Sequence, residues 1–418
     1  MNKSNFSWVT IWSFLLALNF GAGKAGNAAE VLDELRSYLA QPVEKREPLE
    51  KQPFANAALS KADADAAQKL LWADHVEFIR KTRSEEIKNC ELKDGALSMK
   101  FYYKVFGQKP NNGRSLFISM HGGGGAPKEV NDQQWENQKR LYQPEEGVYL
   151  APRAPTNTWN LWHESHIDRL YDRLIEDLIV LEDVDPNRVY IMGYSAGGDG
   201  VYQLAPRMAD RLAAASMMAG HPNDASPLGL RNIAFSLQVG GNDNGYNRNK
   251  IAKEWAEKLD ALQKTDPDGY VHFVKIHEGK GHWMDRQDAI AVPWMAKVTR
   301  TPFPTRVVWH QSSTTHDRFY WLAVDATNKK AGSDVVASYS KEKNAITVEK
   351  STLDRLSIRA NDAMLDLDQP VTVFFGGQQL VQNKLNRTIA VIAKTLAERG
   401  DPVSVFSATM DIALPAPK

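Results

Sequence analysis

The sequence predicts an α/β fold: a mostly parallel sheet with helices on both faces, followed by a small β-rich, sandwich-like domain. Three observations carry this expectation. Between residues 97 and 302, apolar runs of strand length alternate with amphipathic stretches of helical length. Four of those runs end in glycine-marked loops, at His121–Gly125, Gly193–Gly198, Gly240–Asp243 and His277–His282. Past Thr301-Pro302-Phe303-Pro304 the texture changes to short β-rich runs separated by turn residues.

The elements follow in chain order. Lys3, the apolar run Phe6–Phe20 and the small residues up to Ala29 read as a secretion leader over 1–28, cleaved after Ala25 or Ala28. The run is short for a membrane span of about 20 residues. Residues 30–96 read as a charged helical extension wrapping the core: Val31, Leu32, Leu35 and Leu39 keep helical spacing, and a second helix is expected over Lys61–Thr82. Leu97–Phe106 alternates as a strand, with Met99, Phe101, Tyr103 and Val105 on one face. Arg114–Met120 and Val148–Ala151 continue the sheet. Ile167, Leu170, Tyr171, Leu174, Ile175, Leu178 and Ile179 form a helical stripe. Strands are then expected at Val189–Met192, Ala213–Met218, Ile233–Val239 and Tyr270–Ile276, with helices at Asp199–Ala205 and Tyr246–Leu262. The last region, 303–418, is expected to form an antiparallel sandwich from runs at Thr305–Gln311, Arg318–Asp325, Val335–Ser340, Ala345–Glu349, Leu356–Arg359 and Val371–Phe375, then a helix over Thr388–Arg399. His310 and His316, in this region, read as structural.

Gly193-Tyr194-Ser195-Ala196-Gly197 lies between a strand and a helix, the setting of a nucleophile elbow. So tight a turn needs glycines beside the serine, lifts Ser195 Oγ clear and leaves the Ala196 N–H free for an oxyanion. Upstream, His121 is followed by four glycines, and the N–H of Gly122 or Gly123 can complete that hole. No Lys-Ser/Thr follows, as a phosphate loop would require. Asp243, just past a strand end, is the candidate orienting carboxylate, with Asp224 and Asp285 as alternatives. His282 is the candidate base, and His277, nearer its strand end, competes. The order Ser195, Asp243, His282 differs from those of the two common endoproteases. Candidate pocket residues are Trp159 and Trp162 past the 148–151 strand, His221 past the 213–218 strand, and Trp283 beside the base. Asn160 and Asn223 neighbour them, and Arg153 and Glu164 are candidate charge anchors.

With these motifs in place, Leu97–Pro302 resembles an α/β-hydrolase. It is similar to dienelactone hydrolases and secreted polyhydroxybutyrate-depolymerase-like esterases, with the prolyl-oligopeptidase-like branch second. Asp185-Pro186-Asn187-Arg188-Val189-Tyr190-Ile191 and the doubled glycine after Ser195 carry the likeness, which covers about half the chain. The resemblance implies a catalytic domain over 97–302, a Ser195–His282–Asp243 triad and ester hydrolysis through an acyl-enzyme, with no cofactor. Polymer, sugar-acetate, feruloyl-type and short-chain esters all fit it. A peptidase using the same triad is the first competing reading, although too little chain precedes the core to hold the propeller such enzymes carry. A non-catalytic glycan-binding protein on the same scaffold is the second.

Composition sets the remaining bounds. Of 418 residues, 51 are Lys or Arg and 51 Asp or Glu, so formal net charge is zero and nothing favours nucleic acid as a partner. No metal-ligand spacing is present, and no metal is expected. Cys90 is the sole cysteine, which excludes an intrachain disulfide. The expected substrate is a small-molecule or polymeric ester, the expected location secreted or periplasmic, with no membrane span after leader cleavage. Oligomeric state leaves no mark in the sequence.

Overall fold

The computed structural model describes residues 28–415. The expected leader lies outside them but for its last residue. Among the described residues, no helix is long and apolar enough to cross a membrane.

An eight-stranded sheet forms the centre. Its strands are β1 (Glu91–Asp94), β2 (Leu97–Phe106), β3 (Arg114–Met120), β4 (Gly147–Pro152), β5 (Val184–Tyr194), β6 (Ala214–Met218), β7 (Ala234–Gly240) and β8 (His272–His277), in the order β1-β2-β4-β3-β5-β6-β7-β8. β1 and β2 run antiparallel to their neighbours and the other pairs are parallel. This is the mostly parallel sheet with helices on both faces that the sequence predicts. Alternate residues serve opposite faces, as strand pleating requires. Leu116, Ile118, Val148, Leu150, Val189 and Ile191 join one core. Phe117, Tyr149, Tyr190 and Met192 join the other. Helices α4 (Ser165–Leu181), α5 (Ala196–Arg207) and α6 (Arg248–Thr265) cover the first face. Elements α3 (Lys128–Gln138) and α7 (Ala291–Met295) lie at the second.

The sheet begins at Glu91, inside the segment expected to be helical and six residues before the boundary read from sequence. Helix α1 (Ala28–Leu39) is followed by α2 (Lys61–Asn89), which is capped by Ser60 accepting the Asp63 N–H at 3.2 Å and runs past the expected end at Thr82. It stops at Cys90, whose φ of 51° breaks the helix and turns the chain into β1.

The C-terminal region holds two facing sheets. One has the order β10-β11-β14-β17, from Arg318–Phe319, Leu322–Ala323, Arg355–Ala360 and Ala408–Ala413. The other has the order β16-β15-β13-β12-β9, from Gln378–Asn383, Val371–Phe375, Ala345–Ser351, Asp334–Ser340 and Arg306–His310. Trp309 stacks on Phe319 and Trp321 meets Tyr339 edge-on between them. Two expectations need correction. The domain is not purely antiparallel, because β13 and β15 pair in parallel. The run at Arg318–Asp325 is a hairpin of two-residue arms rather than one strand. Helix α8 (Ile389–Arg399), capped by Thr388 and closed by Gly400 at φ 57°, packs on α1 and α2.

Candidate active site

Ser195 stands between β5 and α5 at φ 58°, ψ −121°, a conformation that costs an L-residue energy and marks a functional turn. The glycines beside it are sterically required. A Cβ on Gly193 would sit 2.2 Å from the Gly197 carbonyl oxygen, and one on Gly197 would sit 2.2 Å from that of Met120. The Ser195 N–H donates to the Met218 carbonyl at 2.9 Å, pinning the turn to β6.

His282 Nε2 lies 3.0 Å from Ser195 Oγ. Its Nδ1 lies 2.8 Å from Asp243 Oδ2, and Asp243 is buried. A carboxylate only accepts, so Nδ1 carries the proton and Nε2 offers its lone pair to the hydroxyl. The alternatives are engaged elsewhere. His277 is buried against Gln238 at 2.9 Å, Asp224 accepts from Gln203 at 2.8 Å, and Asp285 pairs with Lys280 at 2.7 Å.

Among the described residues, the N–H groups of Gly122, Gly123 and Ala196 have no acceptor. Gly123 has φ +100°, and a Cβ there would strike Asn131 Oδ1 at 2.4 Å. Asn131, fully buried on α3, accepts the Gly124 N–H at 2.8 Å and donates to the Ala126 carbonyl at 2.9 Å, bracing the loop. His121 braces it from behind. Its Nε2 accepts the Ala154 N–H at 3.1 Å, so the ring is neutral and Nδ1 faces the Gly122 carbonyl at 2.6 Å. Burial pushes its pKa down to about 3.

A cavity of about 620 Å³ opens above these groups, lined by Gly122, Gly123, Gln134, Leu141, Tyr194 and Trp283 among others. Among the described residues, His282 is the sole titratable lining residue apart from Tyr194, and no lysine, arginine or carboxylate contributes. Trp283 lines it half-exposed. Trp159 is exposed and lies against Gly125, at the outer end of the glycine loop. Trp162 corrects the expectation of a pocket role: it is fully buried in the core and donates its indole N–H to the His121 carbonyl at 2.9 Å. His221 does not line the cavity either, because its Nδ1 accepts the Asn223 N–H of its own turn at 2.9 Å. Arg153 is spent on the Ala154 carbonyl and Asp132. Sequence reasoning missed Asn131, Gln134 and the Tyr194 side chain. The first two sit in a polar helix with no motif, and the third is a side chain on which the elbow motif places no requirement.

No protein-family model matches the chain, and no curated protein matches it. Among solved structures, a thermostable esterase is 18% identical over 50% of this chain, with a TM-score of 0.42. Only 62% of that esterase is covered, less than two thirds of its length. The poly(3-hydroxybutyrate) depolymerase LpqC from Bordetella parapertussis is 13% identical, covering 48% of this chain and 84% of its own, with a TM-score of 0.38. Poly(aspartic acid) hydrolase-1 from Sphingomonas sp. KT-1 is 12% identical, covering 49% and 96%, also at 0.38.

Proposed function

We propose that the chain is a serine hydrolase that cleaves neutral carboxylic esters. The observation that carries this reading is the relay Ser195 Oγ–His282–Asp243, at 3.0 and 2.8 Å, beside backbone N–H groups with no acceptor among the described residues. In this reading His282 takes the Ser195 proton as Oγ attacks the ester carbonyl, and Asp243 stabilises the imidazolium. The N–H groups of Ala196 and of Gly122 or Gly123 receive the developing oxyanion. Collapse expels the alcohol, which His282 protonates, and leaves an acyl-enzyme on Ser195. Water, deprotonated by His282, then releases the acid. A cavity wall without lysine, arginine or carboxylate supports a neutral substrate. Trp283, which lines the cavity, would contact its acyl or alcohol part. The leader read over 1–28 makes the enzyme secreted or periplasmic, and residues 303–418 form an accessory unit to the catalytic 97–302.

The test is Ser195→Ala. The wild type is expected to hydrolyse p-nitrophenyl butyrate and to react with a fluorophosphonate, and the variant to lose both. Labelling that survives in Ser195→Ala would refute the nucleophile. Aminoacyl-naphthylamide turnover matching that of esters would shift the reading to a peptidase.

A further inference from the structure

We propose that Tyr194 is a positioning residue: its hydroxyl holds the His282 loop in register with the nucleophile turn. The kinetic consequence rests on the hydrolase reading above, whereas the structural one does not.

Tyr194 is the last residue of β5 and the immediate neighbour of Ser195. Its ring is buried on the sheet face shared with Met192 and Met218. The hydroxyl donates to the His282 carbonyl at 2.6 Å and accepts the Met284 N–H at 3.0 Å. The ring meets the His282 imidazole edge-on, with centroids 5.9 Å apart, and leans on Trp283 at 5.6 Å. One phenol therefore engages three consecutive residues of the base loop.

The rest of the loop is tied at its ends: the Asn242 N–H donates to the Lys280 carbonyl at 2.8 Å, the Lys280 N–H to the His277 carbonyl at 3.2 Å, and the Gln287 N–H to the Met284 carbonyl at 2.9 Å. Gly279–Met284 belongs to no helix or strand. Across Gly281–Trp283, the His282 carbonyl is the one backbone group with a hydrogen-bond partner among the described residues, and that partner is Tyr194. The space where Gly281 would carry a Cβ is open. His282 thus has two anchors. Asp243 holds the ring through Nδ1, which leaves the ring free to pivot about that bond. Tyr194 holds the backbone and removes the pivot. Because Tyr194 and Ser195 share a peptide bond, any shift of the turn carries both ends of the Ser195–His282 contact together. Sub-ångström registration of this kind matters, since a displacement of about 1 Å costs on the order of 10²-fold in rate.

Tyr194→Phe removes the hydroxyl and keeps the ring. Titration with a fluorophosphonate should still label the variant to full stoichiometry. Its per-site inactivation rate and its kcat for p-nitrophenyl butyrate should fall by about 10–100-fold, with KM little changed. Deuterium uptake across 279–286 should quicken by about tenfold as the loop loses its backbone ties. Unchanged uptake overturns the proposal whatever the activity does. An unchanged per-site rate also overturns it, including the case in which only the labelled fraction falls, because a merely structural role predicts that pattern. A wild type that resists the probe altogether defeats the hydrolase reading, and the exchange measurement still decides the clamp.

Discussion

At Gly123 a single methyl group does disproportionate harm. Its φ of +100° and the 2.4 Å approach of Asn131 Oδ1 leave no room for a Cβ, so Gly123→Ala must displace the loop or its brace. With the Gly123 N–H as a donor in the proposed oxyanion hole, Gly123→Ala is expected to lower kcat by about 10²–10³-fold, with the far-UV spectrum and KM nearly unchanged; an unchanged kcat would assign the donor to Gly122. The histidines near the loop carry a pH signature. Burial holds His121 down to about 3 and His163 to about 4, both below the ordinary 6.5. A depressed histidine leaves the folded state binding fewer protons than the unfolded one. Stability present above pH 6.5 therefore drains away as pH falls toward 4. The urea midpoint should drop across that window, and His163→Gln should flatten part of the slope; an identical slope would contradict neutral burial. Ser195, Asp243 and His282 were legible because each follows a visible apolar strand by a few residues and has glycine for company. Tyr194 and Asn131 were not, because they act through contacts with backbone that no local pattern encodes.

Elements are readable to the degree that their faces differ. The α4 stripe and the alternation of β2 show directly in sequence because each buries one side. β16, with Gln, Gln, Leu, Val, Gln, Asn at the margin of its sheet, has no such contrast and was missed. The parallel β13–β15 pair was missed for another reason: alternation says which face is buried, never which neighbour is paired. A more specific consequence sits where α4 meets α2. Asp177 is fully buried there, with Arg83 at 3.4 Å and Glu176 and Glu86 close by. Burial, reinforced by Glu86, pushes its pKa up to about 8. A carboxyl raised in this way favours the folded state at low pH and loses that contribution as pH climbs from about 4, its usual unfolded value, to 8. Asp177→Asn should therefore gain thermal stability over wild type progressively between pH 4 and 8 and hold a constant margin above. A margin independent of pH would show the carboxyl ionised throughout.

The whole molecule is joined through charge as well as apolar contact. Arg300, in the connection between the two regions, is fully buried against Asp401 at 2.7 Å and donates to the Asp210 carbonyl at 2.8 Å. His316 reaches Asp168 at 2.9 Å, and Asp168 also holds Arg207 of α5 at 2.6 Å. Tyr320 donates to the Ala209 carbonyl at 2.9 Å. Removing one partner of a buried pair typically costs about 3–5 kcal/mol, because it strands the other charge. Asp401→Ala should lower a single calorimetric transition by several degrees; two separated transitions would show that residues 97–302 and the C-terminal region unfold independently. The break at Thr301–Pro304 was legible as a change of texture, but the ionic seam across it was not, since its members lie up to 233 residues apart.

Val31, Leu32, Leu35 and Leu71 share their small core with Ile389, Ile392 and Leu396, and Leu59 bridges Arg387. A ribosome makes the first group long before the second. Until then α1 and α2 can cover only each other, and the part of their apolar surface that meets α8 stays open.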